Sequence, residues 1–159
     1  AKILLYLTGP LTAVAYAFFA GSETKKDSKL ILIICVMLFI LGSVLVGSMY
    51  IFMPAMITSI FLGSSYSLLG SSLWIAAIFG GLYSIATLLT QYLIAHGSRL
   101  GLLSLAAVGM QIIGILLFHA SLTQVMVVNS VVAFCLCLGY AIGLVKMHNN
   151  QSPATNEAN

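Results

Sequence analysis

From Leu30 to Ile51 no charged side chain interrupts the chain, and in helix that run is long enough to cross a bilayer core. Four further stretches of this kind follow or precede it: Lys2–Ala20, Ser72–Ala95, Leu100–Phe118 and Gln124–Val145. Together they occupy most of the 159 residues. A water-facing domain usually has roughly a quarter of its residues charged. Here 6% are charged, 61% are hydrophobic, and the mean hydropathy is +1.13, so lipid must be the main solvent. None of the runs alternates apolar and polar residues with period two, which argues against a transmembrane barrel. The expected fold is all-α: a polytopic membrane bundle of about five helices over residues 1–147. A polar tail, 148–159, contains Pro153 and no aromatic residue and is expected to be disordered. Phe52–Ser71 is apolar but broken by Pro54, Gly63 and Gly70; it reads as the end of the second span plus a loop at the membrane surface.

The few charges set an orientation. Lys25, Lys26 and Lys29 fall in the first loop, Arg99 in the third, and Lys146 just past the last span. The intervening loops, Gly63–Ser71 and His119–Thr123, have no Lys or Arg, and only Lys2 disagrees. The positive-inside rule therefore puts the N-terminal end outside and the C-terminus in the cytoplasm of a multi-pass protein of the cell inner (plasma) membrane. The net charge of +3 is loop bias spread over separate loops, not a nucleic-acid patch. Lys2, the apolar run after it and Ala15-Tyr16-Ala17 also have the outline of a signal peptide, but Pro10 and the spans that follow at once argue against one. The chain starts almost inside a span, which is the pattern expected of a piece of a longer protein.

Within the spans, polar and small residues recur at helical spacing. Gly80, Ser84, Thr87 and Gln91 share one face of the third span. Gly101, Ser104 and Gln111 lie along a face of the fourth, with Ala107 and Gly114 beside it. Asn129 opens a face through Ala133 and Tyr140 in the fifth, where Gly139 and Gly143 form a GxxxG pair; Ser43 and Gly47 pair similarly in the second. Such stripes are commonly seams where helices approach closely. The alternative is a wet cavity: Gln91, Gln111 and Asn129, with Ser84 and Thr87, would line it and meet a polar substrate. Pro10, flanked by Gly9, Thr8 and Thr12, predicts a kink in the first span.

Several chemistries find no support. Cys35, Cys135 and Cys137 all fall within spans, and the C-x-C spacing points two thiols to nearly opposite sides of a helix, unlike a zinc pair. His96, His119 and His148 lie near three different span ends, and no Asp or Glu lies in any span. No nucleophile–base pair, two-carboxylate site or phosphate loop is present, so neither an enzyme, a metal site nor a cofactor is expected.

Three strings carry a family resemblance. GPLTAVAYAFFAGS (Gly9–Ser22), MPAMITSIFLGSSY (Met53–Tyr66) and LLTQYLIAHGSRL (Leu88–Leu100) occur in the order found in the C-terminal part of polysaccharide (O-antigen-type) flippases. These belong to a superfamily shared with the MATE exporters and the lipid II flippase. The chain departs from the pattern at Ala17-Phe18, where a proline is frequent, and at Ser64 and Ser65, where an acidic residue is frequent. The resemblance implies the last five helices of a two-lobed flippase, with an N-terminal lobe supplied by missing sequence or a partner chain. It further implies an undecaprenyl-type lipid-linked glycan as substrate, its headgroup crossing between lobes that open alternately. Two alternatives stay open: half of a MATE-like cation or multidrug exporter, and a small non-transporting subunit of a glycan-assembly complex.

Overall fold

A computed structural model describes residues 2–21, 25–61 and 73–149. All regular structure among these residues is helical: α1 (Lys2–Gly21), α2 (Lys25–Phe52), α3 (Pro54–Phe61), α4 (Leu73–Ala95), a short 3-10 turn (Arg99–Leu102), α5 (Leu103–Leu117) and α6 (Leu122–Asn149). Helix is the outcome the composition demands. These segments carry too few polar side chains to satisfy exposed peptide groups, and only helical hydrogen bonding satisfies them within the segment. The stretches Asp27–Phe52, Leu73–Ala95, Arg99–Leu117 and Leu122–Lys146 are each long and apolar enough to cross a membrane. Large apolar side chains on every long helix are exposed, among them Leu41, Leu105, Leu116 and Val145. That outer surface suits acyl chains and not water, and the architecture is that of a multi-pass membrane bundle.

The helix ends explain how the chain reverses. Gly97 has φ +64°, and the Gly97 N–H donates to Ile94 O while the Ser98 N–H donates to Leu93 O, both at 2.9 Å. This is the paired bonding of a glycine-terminated helix, in which the left-handed residue lets the chain leave the axis. Ser98 then caps the 3-10 turn, its Oγ accepting from the Leu100 N–H. At the far end of α5, Ser121 caps α6 by accepting from the Gln124 N–H at 3.2 Å.

α4 is the centre of the bundle, packing against α1, α2 and α6, whereas α5 packs on α6 and on the 3-10 turn. One core cluster joins Ala15 and Phe19 of α1, Leu32, Cys35 and Phe39 of α2, Leu88, Leu89 and Leu93 of α4, and Tyr140 of α6. Thr8 bonds to Ser84 and Phe19 stacks edge-on against Tyr92, so α1 and α4 run in the same direction. Thr90 meets Tyr140 and Cys137 meets Leu82 O, so α6 runs with them. Gly81 lies against Ser43 and Gly47 against Ala77, so α2 runs oppositely. Gln111 pairs with Asn129, and Gly139 takes Leu103, so α5 is antiparallel to α6. Successive long helices thus alternate in direction.

Three expectations need correction. Lys25, Lys26 and Lys29 are not in a loop but in the opening turns of α2, because hydropathy marks the lipid-buried part of a helix and not its hydrated start. Pro54 does not begin a surface loop: it is the first residue of α3, where its missing N–H is no loss. Within α3 the Thr58 hydroxyl bonds back along its own helix, its Oγ1 lying 2.9 Å from Pro54 O. The remainder of that segment, 62–72, lies outside the described residues. Finally, α6 continues through His148 to Asn149, beyond the expected start of the tail, while residues 150–159 are outside the described part.

Candidate functional site

Among the described residues, polar side chains from three helices converge at one place. A cavity of about 320 Å³ lies between α4, α5 and α6, near the middle of each. α4 contributes Thr87, Thr90 and Gln91, α5 contributes Ser104 and Gln111, and α6 contributes Asn129. Phe79, Tyr83, Ala107, Ala133 and Leu136 complete much of the wall, and no charged residue lines it.

The wall combines committed and uncommitted polar groups. Gln111 Nε2 donates to Asn129 Oδ1 at 2.6 Å, a bond that spans α5 and α6. These two amides therefore serve as a seam and as lining at once. A primary amide carries two donors and a two-lone-pair acceptor. The pair therefore keeps the second carbonyl oxygen and the second NH₂ for another partner, whichever way the amides are assigned. Thr87 directs its hydroxyl to Tyr83 O of its own helix, and Ser104 to Gly101 O of the preceding 3-10 turn. Thr90 Oγ1 lies 2.8 Å from Ala86 O and 2.9 Å from the hydroxyl of fully buried Tyr140. Gln91 differs from all of these: its carbonyl oxygen is buried and has no hydrogen-bond partner.

Of the five residues expected at a substrate cavity, Gln91, Gln111, Asn129 and Thr87 line this one. Ser84 does not. It is 1% exposed and sits against α1, its Oγ 3.0 Å from Thr8 Oγ1 and 2.8 Å from Gly80 O. Ser84 shares a helical face with Thr87 and Gln91, but α1 covers that part of the face. Thr90 and Tyr83 were missed by the sequence reading; a face centred slightly to the other side of Thr87 would have included both.

Ser43, Gly47, Gly139 and Gly143 each lie against a neighbouring segment. A Cβ built on Gly81 would fall 2.6 Å from Ser43 Oγ and 2.9 Å from Ser43 Cβ, and one on Gly47 would fall 3.7 Å from Ala77 Cβ. Cβ atoms on Gly139 and Gly143 would meet the side-chain tips of Leu103 and Leu100, at 2.8 and 2.6 Å. The GxxxG pair of α6 thus receives leucine knobs rather than another helix's backbone. Lys29, Arg99 and Lys146 are exposed. With the alternating helix directions, the start of α2, the 3-10 turn and the end of α6 share one end of the bundle, so these residues and the opening Lys25 and Lys26 of α2 cluster there.

Two larger grooves hold little chemistry. One, about 510 Å³ between α2 and α4, is nearly all apolar, and its Ser43 and Ser48 hydroxyls bond to their own helix at Phe39 O and Leu45 O. The other, about 480 Å³, lies between α5 and α6 around Val127, Val128 and Phe118. Among the described residues no three His, Cys, Asp or Glu side chains gather at a metal-binding distance. His96 and His119 each hold a carbonyl of their own helix, Tyr92 O and Leu116 O. Comparison with protein-family models, with curated proteins and with solved structures finds no match for this chain in any of the three.

Proposed function

We propose that this bundle is one lobe of a membrane flippase for lipid-linked oligosaccharides, and that the cavity among α4, α5 and α6 forms part of the polar path of the glycan headgroup. The observation that carries the reading is the cavity's lining of three amides and four hydroxyls (Tyr83, Thr87, Thr90 and Ser104) without a charge, at mid-depth in an apolar bundle. Polar side chains in that position are costly, and they commonly mark a substrate pathway. A glycan headgroup is dense in hydroxyls that both donate and accept, which amides answer in kind. The sequence resemblance to the C-terminal part of such flippases supports the same reading. In it, α1 is a fifth crossing, the basic end of the bundle is cytoplasmic, and a second lobe from further sequence or a partner chain closes the path. The lipid tail stays in the bilayer while the lobes open alternately. No lining residue offers a nucleophile paired with a base, so the role assigned is transport and not catalysis.

Deletion of the encoding gene in the source cell tests this. Surface polysaccharide should be lost and lipid-linked repeat units should accumulate on the cytoplasmic leaflet, with restoration by the intact gene. Normal surface glycan in the deletion strain would refute the flippase reading.

A further inference from the structure

The flippase reading leaves open what kind of sugar the cavity accepts, and the following inference rests on that reading. We propose that the cavity is selective for a neutral glycosyl group, and that Gln91 is the specificity-determining acceptor for one of its hydroxyls.

The size of the space limits its occupant. At about 30 Å³ per water, roughly 320 Å³ corresponds to about ten water molecules. A space of that size takes a pyranose ring with its hydroxyls.

The polar groups then state what that occupant must offer. Gln111 and Asn129 satisfy each other with one bond and keep one carbonyl oxygen and one NH₂ between them. Thr87, Thr90 and Ser104 have nearby backbone carbonyls to bond. Among the residues lining the cavity, Gln91 alone carries a buried oxygen with nothing to accept from. An unmet buried acceptor destabilises the empty state, and a ligand that brings a donor to it recovers that loss. Gln91 lines the cavity, and its oxygen, buried as the side chain stands, meets a sugar hydroxyl once the side chain turns toward the occupant. Adjacent hydroxyls then reach the free ends of the Gln111–Asn129 pair. A uronate or phosphate would enter a wall with no Lys, Arg or His and remain an unpaired buried charge, which is strongly unfavourable. A hydroxyl-bearing neutral ring is the class that fits.

The test uses the complete chain in phosphatidylcholine nanodiscs, titrated by saturation-transfer NMR with methyl β-glucopyranoside and with methyl β-glucuronide. The glucoside should bind and the glucuronide should bind at least about tenfold more weakly. Gln91→Met keeps the length of the side chain and removes the amide. It should weaken glucoside binding by about tenfold, as expected for loss of a recognised buried acceptor, while the melting temperature stays level or rises. Equal affinity for the two probes, or undiminished glucoside binding by Gln91→Met, would overturn the proposal. So would a fall in melting temperature or a failure of Gln91→Met to fold, since the amide would then be structural. Competition by glucosyl diacylglycerol in the nanodisc places the recognised sugar on a lipid, and lack of competition assigns a free sugar; both keep the neutral-glycosyl specificity. Export measured alongside separates the two ideas. Wild-type export by a Gln91→Met protein that binds normally removes the role of Gln91 alone, whereas normal surface glycan in the deletion strain removes the flippase reading whatever Gln91 does.

Discussion

The contact between α2 and α4 gives a sharp test of the packing, because it rests on one missing methyl group. Ordinary non-bonded carbon contacts lie near 3.5–4.0 Å. A Cβ on Gly81 would stand 2.9 Å from Ser43 Cβ, and Ser43 Cβ is fixed to the backbone of α2. Rotating the serine hydroxyl relieves the 2.6 Å contact with Oγ but not the one with Cβ. Gly81→Ala therefore forces the two helices apart by roughly 0.5–1 Å, a kind of overpacking that costs about 1–3 kcal/mol. Alanine also gains about 1 kcal/mol over glycine in helix propensity, so the net loss is about 0–2 kcal/mol. Gly109, in α5, is the internal control, since a Cβ there meets nothing within 4 Å. Gly109→Ala keeps the propensity gain without the clash. The difference between the two alanine variants thus isolates the steric cost at about 1–3 kcal/mol. For a chain of this size that is roughly 2–12 °C in melting temperature, at about 2–4 °C per kcal/mol. Thermal unfolding in mild detergent measures it. Ser43→Gly removes both clashing atoms and should rescue Gly81→Ala, with a coupling energy of about 1–2 kcal/mol in the double-mutant cycle. Equal melting temperatures for Gly81→Ala and Gly109→Ala, or no rescue by Ser43→Gly, would show that α2 and α4 do not meet at this level.

Two further outcomes are expected. Gln111→Leu strands Asn129 Oδ1 and should lower stability by about 0.6–2 kcal/mol, with much of the loss recovered in the Gln111→Leu/Asn129→Leu pair; additive losses in the thermal unfolding cycle would mean that the 2.6 Å bond does not couple the helices. On a cysteine-free background, a cysteine at exposed Ser121 should react with an impermeant thiol reagent in intact cells, and one at Lys146 only after permeabilisation; the reverse pattern would invert the orientation.

How much of this was legible in the sequence depends on what each signal measures. Long uncharged runs located four apolar helices, because hydropathy reports the very property that lipid requires. The same measure stopped at Leu30 although α2 starts at Lys25, since lysines and Asp27 are compatible with a helix that has left the lipid. Pro54 was read as a breaker, but at the first position of α3 it sacrifices no hydrogen bond. Helical spacing found Gln91, Gln111 and Asn129, because the polar residues of each span are few and lie on one side. It could not tell which neighbour covers which part of a face. Ser84 looks like Thr87 on a wheel, and only the arrival of Thr8, 76 residues earlier, separates their surroundings. Nor could spacing reveal that two of the amides would bond to each other and leave the carbonyl oxygen of the third without a partner.

The central place of α4 has a consequence for how the protein is made. Its buried residues Leu88 and Leu93 share a core with α1 and α2, which are synthesised before them, and with Tyr140, which is synthesised after. The chain between Leu93 and Tyr140 is about 45 residues long, and a ribosome adding roughly 5–20 residues per second takes on the order of 2–9 s to deliver it. Through that interval α4 has α1 and α2 available as partners, but α6, and with it the Tyr140 hydroxyl that Thr90 meets in the finished bundle, has yet to be made. The order of synthesis therefore delivers α1, α2 and α4 before the α5–α6 hairpin that completes their packing. The polar cavity does not exist until that hairpin arrives, so a stalled or truncated chain presents Gln91 and its neighbours directly to the bilayer.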